Sequence, residues 1–506
     1  MSERRTLRSL WTETAEPRSY PPLQGDVRTD VVVIGAGVAG LTTAYLLAKE
    51  GRKVLVLDMH ELCSGQTGQT TAHLTEFLDE RYHTLERDFG QEGARVAATS
   101  ARAAIETIGA LVQTLGIDCQ FERLPAYLYA SKASHAHDLE RELDAARRAG
   151  VDVSLTQDVP LPFHASLALR AESQAQLHPR RYLLGLADAF VALGGRICEH
   201  TRVLEVEDGS PARVHTERGT VTCEDVVEAT TTPLNRVFLH TKLYPYRTYA
   251  LAGRPGHAPA HALFYDTEDP YHYIRPAGDL LIIGGEDHKV GDEEDTTQPF
   301  ARLESYARQH FGLREVTHRW SGQVIEPADG LPYIGRNSLR RHTWVATGFS
   351  GTGITFGTVA GLVLRDQLAG RDNPFGRLFT ATRVKPLAAA MEFMKENAQV
   401  GYHFVADRLR PADAQALSAV RPGEGAIVEL DGKKAAVYRA ESGEVHALSP
   451  VCTHLGCHVN WNKAEKSWDC PCHGARYSPS GEVLNGPASR ALAALPVPGL
   501  NAAPRT

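Results

Sequence analysis

The chain has 506 residues, with Lys+Arg 54 against Asp+Glu 61 for a net charge of −7, and is 42% apolar and 23% charged. At roughly 150 residues per domain there is room for three domains, and the composition excludes wholesale disorder. No stretch is basic enough to track phosphates, which excludes nucleic acid as a partner. Apolar runs such as Val31–Ile34 fall far short of the roughly 20 residues that span a bilayer. Arg4-Arg5 opens like an export signal, but polar residues follow where an apolar stretch is required, so the chain reads as soluble and cytoplasmic.

Residues 1–28 are polar and Pro-containing and read as an N-terminal extension lying over the surface. The β-branched run Asp30–Ile34 predicts a strand buried on both faces. Next come the turn Gly35-Ala36-Gly37-Val38-Ala39-Gly40, a helix over Leu41–Glu50 stopped by Gly51, and a second strand over Lys53–Leu57. That is one βαβ unit at the start of a parallel sheet. Its glycines carry the dinucleotide fingerprint: Gly35 for the tight turn, Gly37 for close approach of a pyrophosphate, Gly40 for helix–strand packing. The helix N-terminus offers unpaired N–H groups to phosphates. Asp58, 23 residues after Gly35, is placed to accept from a ribose hydroxyl.

Residues 82–150 read as helical, and strands are predicted at 202–207, 220–223 and 226–229. A strand-rich stretch follows from about 240 to 325, including Leu280–Ile283. Gly348–Gly357 opens onto a helix over Thr358–Leu368. Between Pro386 and Pro411 a helical connector is predicted, with Met391, Met394, Ala398, Val405 and Leu409 on one side; lacking a basic face, it reads as a packed linker. From about 415 short strands dominate: Ala426–Leu430, the turn Asp431-Gly432, then Ala435–Arg439.

Eight cysteines do not make a disulfide scaffold in a chain this long. Cys63, Cys119, Cys198 and Cys223 are scattered and read as buried apolar thiols. Cys452, Cys457, Cys470 and Cys472 instead crowd into 21 residues. Cys452-Thr453-His454, fifteen further residues, then Cys470-Pro471-Cys472-His473 offer two thiolates and two imidazoles. That is the donor set of a [2Fe–2S] cluster with two histidines on one iron. Zinc is the alternative, but Cys452 and His454 are too close for the usual zinc loops.

This pattern resembles the Rieske ferredoxins. The resemblance implies that Cys452 and Cys470 bind one iron and His454 and His473 the other, and that Cys457 and Cys472 form a disulfide joining the two cluster loops. Gly486-Pro487 resembles the loop that covers such clusters. Ala475 stands where high-potential members carry a serine, while Tyr477 is kept. In those members the serine hydroxyl bonds a cluster sulfur, and its loss here predicts a potential below the top of the roughly −150 to +300 mV range.

The fingerprint, Ser64-Gly65-Gln66-Thr67-Gly68-Gln69-Thr70-Thr71-Ala72, Asp329-Gly330-Leu331-Pro332-Tyr333-Ile334-Gly335 and Gly348-Phe349-Ser350-Gly351-Thr352-Gly353-Ile354 together resemble the D-amino-acid oxidase (glycine oxidase-like) superfamily of FAD-dependent oxidoreductases, over about residues 28–380. The resemblance implies an α/β Rossmann-like FAD-binding domain (29–80, 181–236 and 326–380) with an α+β substrate domain (81–180 and 237–325). A helical linker (381–412) and a C-terminal all-β Rieske domain (413–506) complete the chain. FAD is expected against Gly35, Gly37, Val38, Ala39, Gly40, Asp58, Thr70, Thr71, Val203, Gly351, Gly353 and Ile354. Some family members attach FAD through a His or Cys in the segment matching 64–72; here Gln69 stands there, with His73 four positions on, so non-covalent FAD is expected.

Ser9-Leu10-Trp11, Thr70-Thr71-Ala72 and Gly284-Gly285-Glu286-Asp287-His288-Lys289 also resemble a bacterial family of Rieske-containing FAD-dependent oxidoreductases. The combination implies oxidation of a C–N bond in a small amine or amino acid, with electrons leaving singly through the cluster to an acceptor protein or quinone. The alternatives are an NAD(P)H reductase, for which a second fingerprint is missing, and a non-catalytic redox carrier or sensor. An oxygenase needs a mononuclear iron site after the cluster, and only 33 residues follow His473. By family analogy Tyr249, Tyr271, Tyr273 and Arg275 face the flavin, with Arg275 as a carboxylate clamp. The other reading makes Arg275 a surface strand residue and the tyrosines sheet packing, while His272 and His288 read as solvated or structural.

Overall fold

The computed structural model describes residues 7–234, 239–383, 411–414, 416–430 and 432–496. The helical connector with Met391, Met394, Ala398, Val405 and Leu409 lies outside them, as does Asp431 of the Asp431-Gly432 turn. The chain divides into two compact units: Met1–Leu243 with Arg247–Asp287 and Pro299–Ala390, and Tyr244–Tyr246 with His288–Gln298 and Met391–Thr506.

In the first unit Val31–Ile34 is buried on both faces and sits inside a six-stranded sheet. It pairs in parallel with Val54–Leu57 and with Asp225–Glu228. Arg196–Cys198 and Thr343–Thr347 extend the parallel array, and Tyr333–Arg336 closes one edge antiparallel. Helix Val38–Lys49 makes the first crossover and is buried nearly all round, because helix Gly353–Leu368 lies hard against it. A Cβ on Gly357 would come within 2.7 Å of Val38, and one on Gly361 within 2.6 Å of Thr42, so the glycines of that helix permit the close crossing. A smaller sheet carries Val203–Glu207, Ala212–Thr216 and Gly219–Cys223, joined by Val27–Arg28.

A nine-stranded sheet forms the second layer, in the order Glu315–Pro327, Leu243–Arg254, Leu280–Lys289, His272–Ala277, Leu263–Asp266, Glu122–Ala130, Leu167–Gln176, His73–Leu74, with Val153–Thr156 beside Leu167–Gln176. The helical expectation for 82–150 holds over Tyr82–Leu115 and Ala136–Arg148, but Glu122–Ala130 between them is a strand. Gly116, left-handed at φ +64°, ends the first helix. Pro125 then removes a donor that a helix interior requires.

Residues 12–22 of the N-terminal segment are largely exposed, but apolar residues on either side pin the segment to the core. Leu10, Trp11 and Leu23 are buried, and Leu10–Glu13 forms a helical turn set into the core. An indole and two leucines withdrawn from water outweigh the polar residues around them. Among the described residues no helix is long and apolar enough to cross a membrane.

In the second unit two small antiparallel sheets stack their apolar faces. One holds Glu424–Leu430, Lys433–Arg439 and Val445–Leu448; the other holds Asn460–Asn462, Ser467–Asp469, Arg476–Tyr477 and Val483–Asn485. The core around the four crowded cysteines includes Trp468, Tyr477 and Leu492.

Candidate functional site

The fingerprint turn is built as its glycines require. Gly35 sits at φ +105°, and a Cβ there would lie 2.4 Å from Ala229 O; one on Gly40 would lie 1.9 Å from Gly35 O. Val38 N–H, at the first turn of its helix, donates to Thr67 Oγ1 at 3.2 Å, so the 64–72 loop abuts the turn. Asp58 closes the other side: Oδ2 accepts from Ala36 N–H at 2.7 Å and Oδ1 from His60 N–H at 2.8 Å. Burial pushes its pKa up, against those two hydrogen bonds.

Gly353 and Ile354 open the second helix of the crossing pair, so two helix N-termini converge, the arrangement that receives anionic phosphate and ring oxygens. Gly351 N–H donates to Asp79. Val203 is buried with Ile34, Leu57 and Cys198. The glycine cradle, the converging helices and Asp58 fit FAD. The Asp329–Gly335 motif is anchored from afar, with Arg383 holding both Asp329 carboxylate oxygens at 2.7 Å and Pro332 O at 2.8 Å.

Strand alternation sorts the substrate-site candidates. Tyr273 points to the same face as Thr248, and their hydroxyls are 2.6 Å apart; Thr248 in turn donates to Asp287. Tyr271 also hydrogen-bonds Asp287 and lies 5.6 Å from the Tyr273 ring. The neighbouring residues face the other way. Tyr249 packs edge-on against Phe300 at 4.8 Å, and His272 pairs with Asp266. A Cβ on Gly351 would fall 3.0 Å from Asp79 Oδ1 and 3.2 Å from the Tyr271 hydroxyl, so the late glycine turn meets this cluster.

Burial pushes Asp287 up to about 7, with Asp79 adding repulsion, and pushes Asp79 up to about 6. Asp79 is itself exposed on the surface, next to the late glycine turn. Thr248, Asp79 and Asp287 were not singled out from sequence. Asp287 stood inside the quoted Gly284–Lys289 segment, and only its face in the sheet marks it out.

Arg275 is neither a surface residue nor a free clamp. Its guanidinium is buried and donates to the carbonyls of Thr71 (3.0 Å), Ala72 (2.9 Å), Leu177 (3.1 Å) and Pro276 (3.1 Å). Burial lowers its pKa to about 9. His73 accepts from or donates to Thr71 Oγ1 at 3.0 Å and meets Ile274 O at 3.2 Å; burial, with Arg275 nearby, drives it down to about 3, so it is neutral.

In the second unit two tight turns present Cys452 with His454 and Cys470 with His473. Gly456 N–H closes on Cys452 O and Gly474 N–H on Cys470 O, both at 3.0 Å. Both glycines are left-handed, at φ +83° and +74°. The Cys457–Cys472 disulfide ties the turns together. Cys452 and Cys470 are free thiols, and the His454 and His473 rings stand 4.9 Å apart at 89°. The sulfurs of Cys457, Cys470 and Cys472 also gather within 4.8 Å, but two of them are the disulfide, so that trio is no zinc set. Two thiols and two imidazoles on facing turns fit a [2Fe–2S] cluster.

Tyr477 hydroxyl lies 3.1 Å from Cys452 Sγ and accepts from Thr453 N–H at 3.2 Å. Ala475 is fully buried beside it. A network braces the second turn: Arg476 Nε and Ser467 Oγ donate to Asp469 Oδ1, and Asn462 Nδ2 to Oδ2.

Comparison with known proteins agrees with both units. Residues 30–367 match the FAD dependent oxidoreductase family (DAO), and residues 412–496 match the Rieske [2Fe-2S] domain. A Bacillus subtilis (strain 168) protein designated a Rieske 2Fe-2S iron-sulfur protein, YhfW, is 33% identical over 96% of both chains. The gamma-glutamylputrescine oxidoreductase of Escherichia coli (strain K12) is 26% identical over 70% of this chain and 86% of its own. The crystal structure of glycine oxidase from Geobacillus kaustophilus shares the fold, with a TM-score of 0.63 at 23% identity over 71% of this chain and 99% of its own. With its glycine cradle, its two converging helices and a Cys₂His₂ cluster motif, this chain is an enzyme of the FAD-dependent oxidoreductase family that carries a C-terminal Rieske [2Fe–2S] domain.

Proposed function

We propose that the protein acts in the cytoplasm as an amine dehydrogenase, oxidising the C–N bond of a small amine and delivering the electrons to an external one-electron acceptor, a protein or a quinone. Bound FAD supplies hydride acceptance, and the cluster supplies single-electron transfer, so one two-electron oxidation leaves in two one-electron steps. The imine product then takes up water.

The observation that carries this reading is the Thr248–Tyr273–Tyr271–Asp287 cluster beside Gly351 and Asp79. Two desolvated carboxylates repel each other and are relieved by a cation, which favours an ammonium group over a carboxylate. Tyr271 and Tyr273 supply ring faces and hydroxyls that orient it. Asp287 is suited to holding the amine and accepting its proton, because its pKa of about 7 lies near working pH. Arg275 is committed to backbone carbonyls, so amines are favoured over α-amino acids. A relative named for a putrescine derivative supports an amine substrate.

The test is anaerobic titration of purified full-length protein with amines, amino acids, NADH and NADPH, followed by visible spectra and EPR. Flavin bleaching by an amine, followed by a reduced-cluster signal, is the expected result. Bleaching only by NADH or NADPH overturns the reading and makes the protein a reductase; no bleaching by any of them leaves a redox carrier or sensor.

A further inference from the structure

Four consecutive backbone carbonyls, Gln69 to Ala72, are each taken by a side chain from a distant segment. Trp320 Nε1–H donates to Gln69 O at 2.8 Å and Trp11 Nε1–H to Thr70 O at 2.6 Å. Arg275 Nη1 donates to Thr71 O at 3.0 Å and to Ala72 O at 2.9 Å. Trp11 and Trp320 are 1% exposed and Arg275 3%. The first comes from the N-terminal segment and the others from two strands of the large sheet.

A regular extended segment sends successive residues to opposite sides, so drawing four carbonyls onto buried donors forces an irregular path. Ala72 accordingly sits at φ +60°, a region that residues with a Cβ avoid, and its N–H is held by Thr70 Oγ1 at 3.1 Å. Such a conformation persists only where the surroundings over-determine it. They do: the Arg275 guanidinium stacks 5.4 Å over the Trp11 ring, and His178 meets that ring edge-on at 4.9 Å.

The same loop begins at the fingerprint, where Thr67 Oγ1 accepts from Val38 N–H. Among the described residues the Thr71 N–H has no protein acceptor, although Thr71 is only 9% exposed. A buried N–H without an acceptor is rare and points to a ligand oxygen or nitrogen.

We propose that Trp320, Trp11 and Arg275 are positioning residues that pre-form loop 69–72 for FAD, holding its carbonyls away so that the Thr71 N–H serves the cofactor. The N-terminal segment is then part of the cofactor site. The proposal rests on the family's use of FAD and adds which side chains prepare the loop for it.

Trp11→Phe and Trp320→Phe remove one N–H each and leave a smaller aromatic ring, a truncation that the control shares. Trp344→Phe is the control: its buried indole N–H donates to Asp225 Oδ1 at 3.1 Å, remote from the loop in sequence. Full-length proteins are stripped of FAD and titrated with it by fluorescence quenching, with apoprotein melting temperature and cluster EPR as folding readouts. Trp11→Phe and Trp320→Phe are expected to bind FAD about three- to tenfold more weakly than wild type, the worth of one hydrogen bond, with melting temperatures matching the control. Affinity equal to that of Trp344→Phe overturns the proposal. If Trp11→Phe does not fold, Trp320→Phe alone decides by the same criterion. A wild-type chain that takes up no FAD overturns the cofactor reading itself, and the proposal with it.

Discussion

The imidazole of His272 lies flat on the phenol of Tyr306, ring centroids 3.9 Å apart and planes 2° from parallel. Its Nδ1 is 2.9 Å from Asp266 Oδ2 and its Nε2 3.7 Å from Glu286 Oε1, while Arg302 caps Glu286 at 2.6 Å. Tyr306 in turn shares a 3.0 Å hydrogen bond with Tyr129. The cluster lies on the opposite face of the strand from the next residue, Tyr273, whose hydroxyl meets Thr248, so the two faces of one strand serve separate networks.

Burial alone would pull the His272 pKa down, but hydrogen bonds and charge from Asp266 and Glu286 carry it up to about 9. The unfolded value is about 6.5, so this contribution is fully present below about pH 6.5 and is lost as pH rises toward 9. Its size is on the order of 3 kcal/mol. Urea midpoints measured across that window should fall steeply for wild type and much less for His272→Gln; equal slopes would refute the assignment.

Asp287 behaves in the opposite sense. Its folded pKa, raised to about 7 by burial, means that ionising it costs stability as pH climbs from the ordinary carboxylate range through 7. Asp287→Asn should therefore raise the melting temperature at about pH 8 while lowering kcat/KM for the amine by about tenfold or more. It should also flatten the acid limb near pH 7. Unchanged kcat/KM in this variant would remove Asp287 from the pocket chemistry.

Ala475 leaves the cluster without one hydroxyl, and Tyr477 supplies another at Cys452 Sγ. Hydrogen bonds to cluster sulfur favour the reduced, more negative state. For a one-electron couple a bond of about 1 kcal/mol is worth about 40 mV. Protein-film voltammetry should find Ala475→Ser shifted upward by about that amount and Tyr477→Phe downward.

The Arg383–Asp329 pair is almost fully buried, and the guanidinium also lies 4.1 Å over the Tyr333 ring. Arg383→Met leaves a buried carboxylate without its partner, so a loss of about 3–5 kcal/mol is expected in chemical denaturation. A loss below about 1 kcal/mol would mean that Asp329 finds water or another donor there.

Chemistry carried by contiguous or closely spaced residues was readable in advance. The glycine turn, its flanking strand and helix, and the C-x-H and C-x-x-H turns are local, and their spacing alone limits what they bind. Strand Glu122–Ala130 was not readable, since Leu/Ala-rich flanks hide a partner strand at Leu263–Asp266. Nor was the burial of Trp11, because nothing near it in sequence names Thr70.

By itself, then, the sequence determined which cofactors the chain is equipped for, because phosphate cradles and cluster turns are made by backbone and ligands within a few dozen residues. Only the tertiary structure decided what surrounds them. Thr248 and Asp287 meet through sheet register, Asp79 joins them from a loop, and Arg275 turns from a candidate carboxylate clamp into the holder of Thr71 and Ala72. Side-chain direction in a sheet reverses with each residue, and which buried donor meets which carbonyl depends on segments up to 251 residues apart.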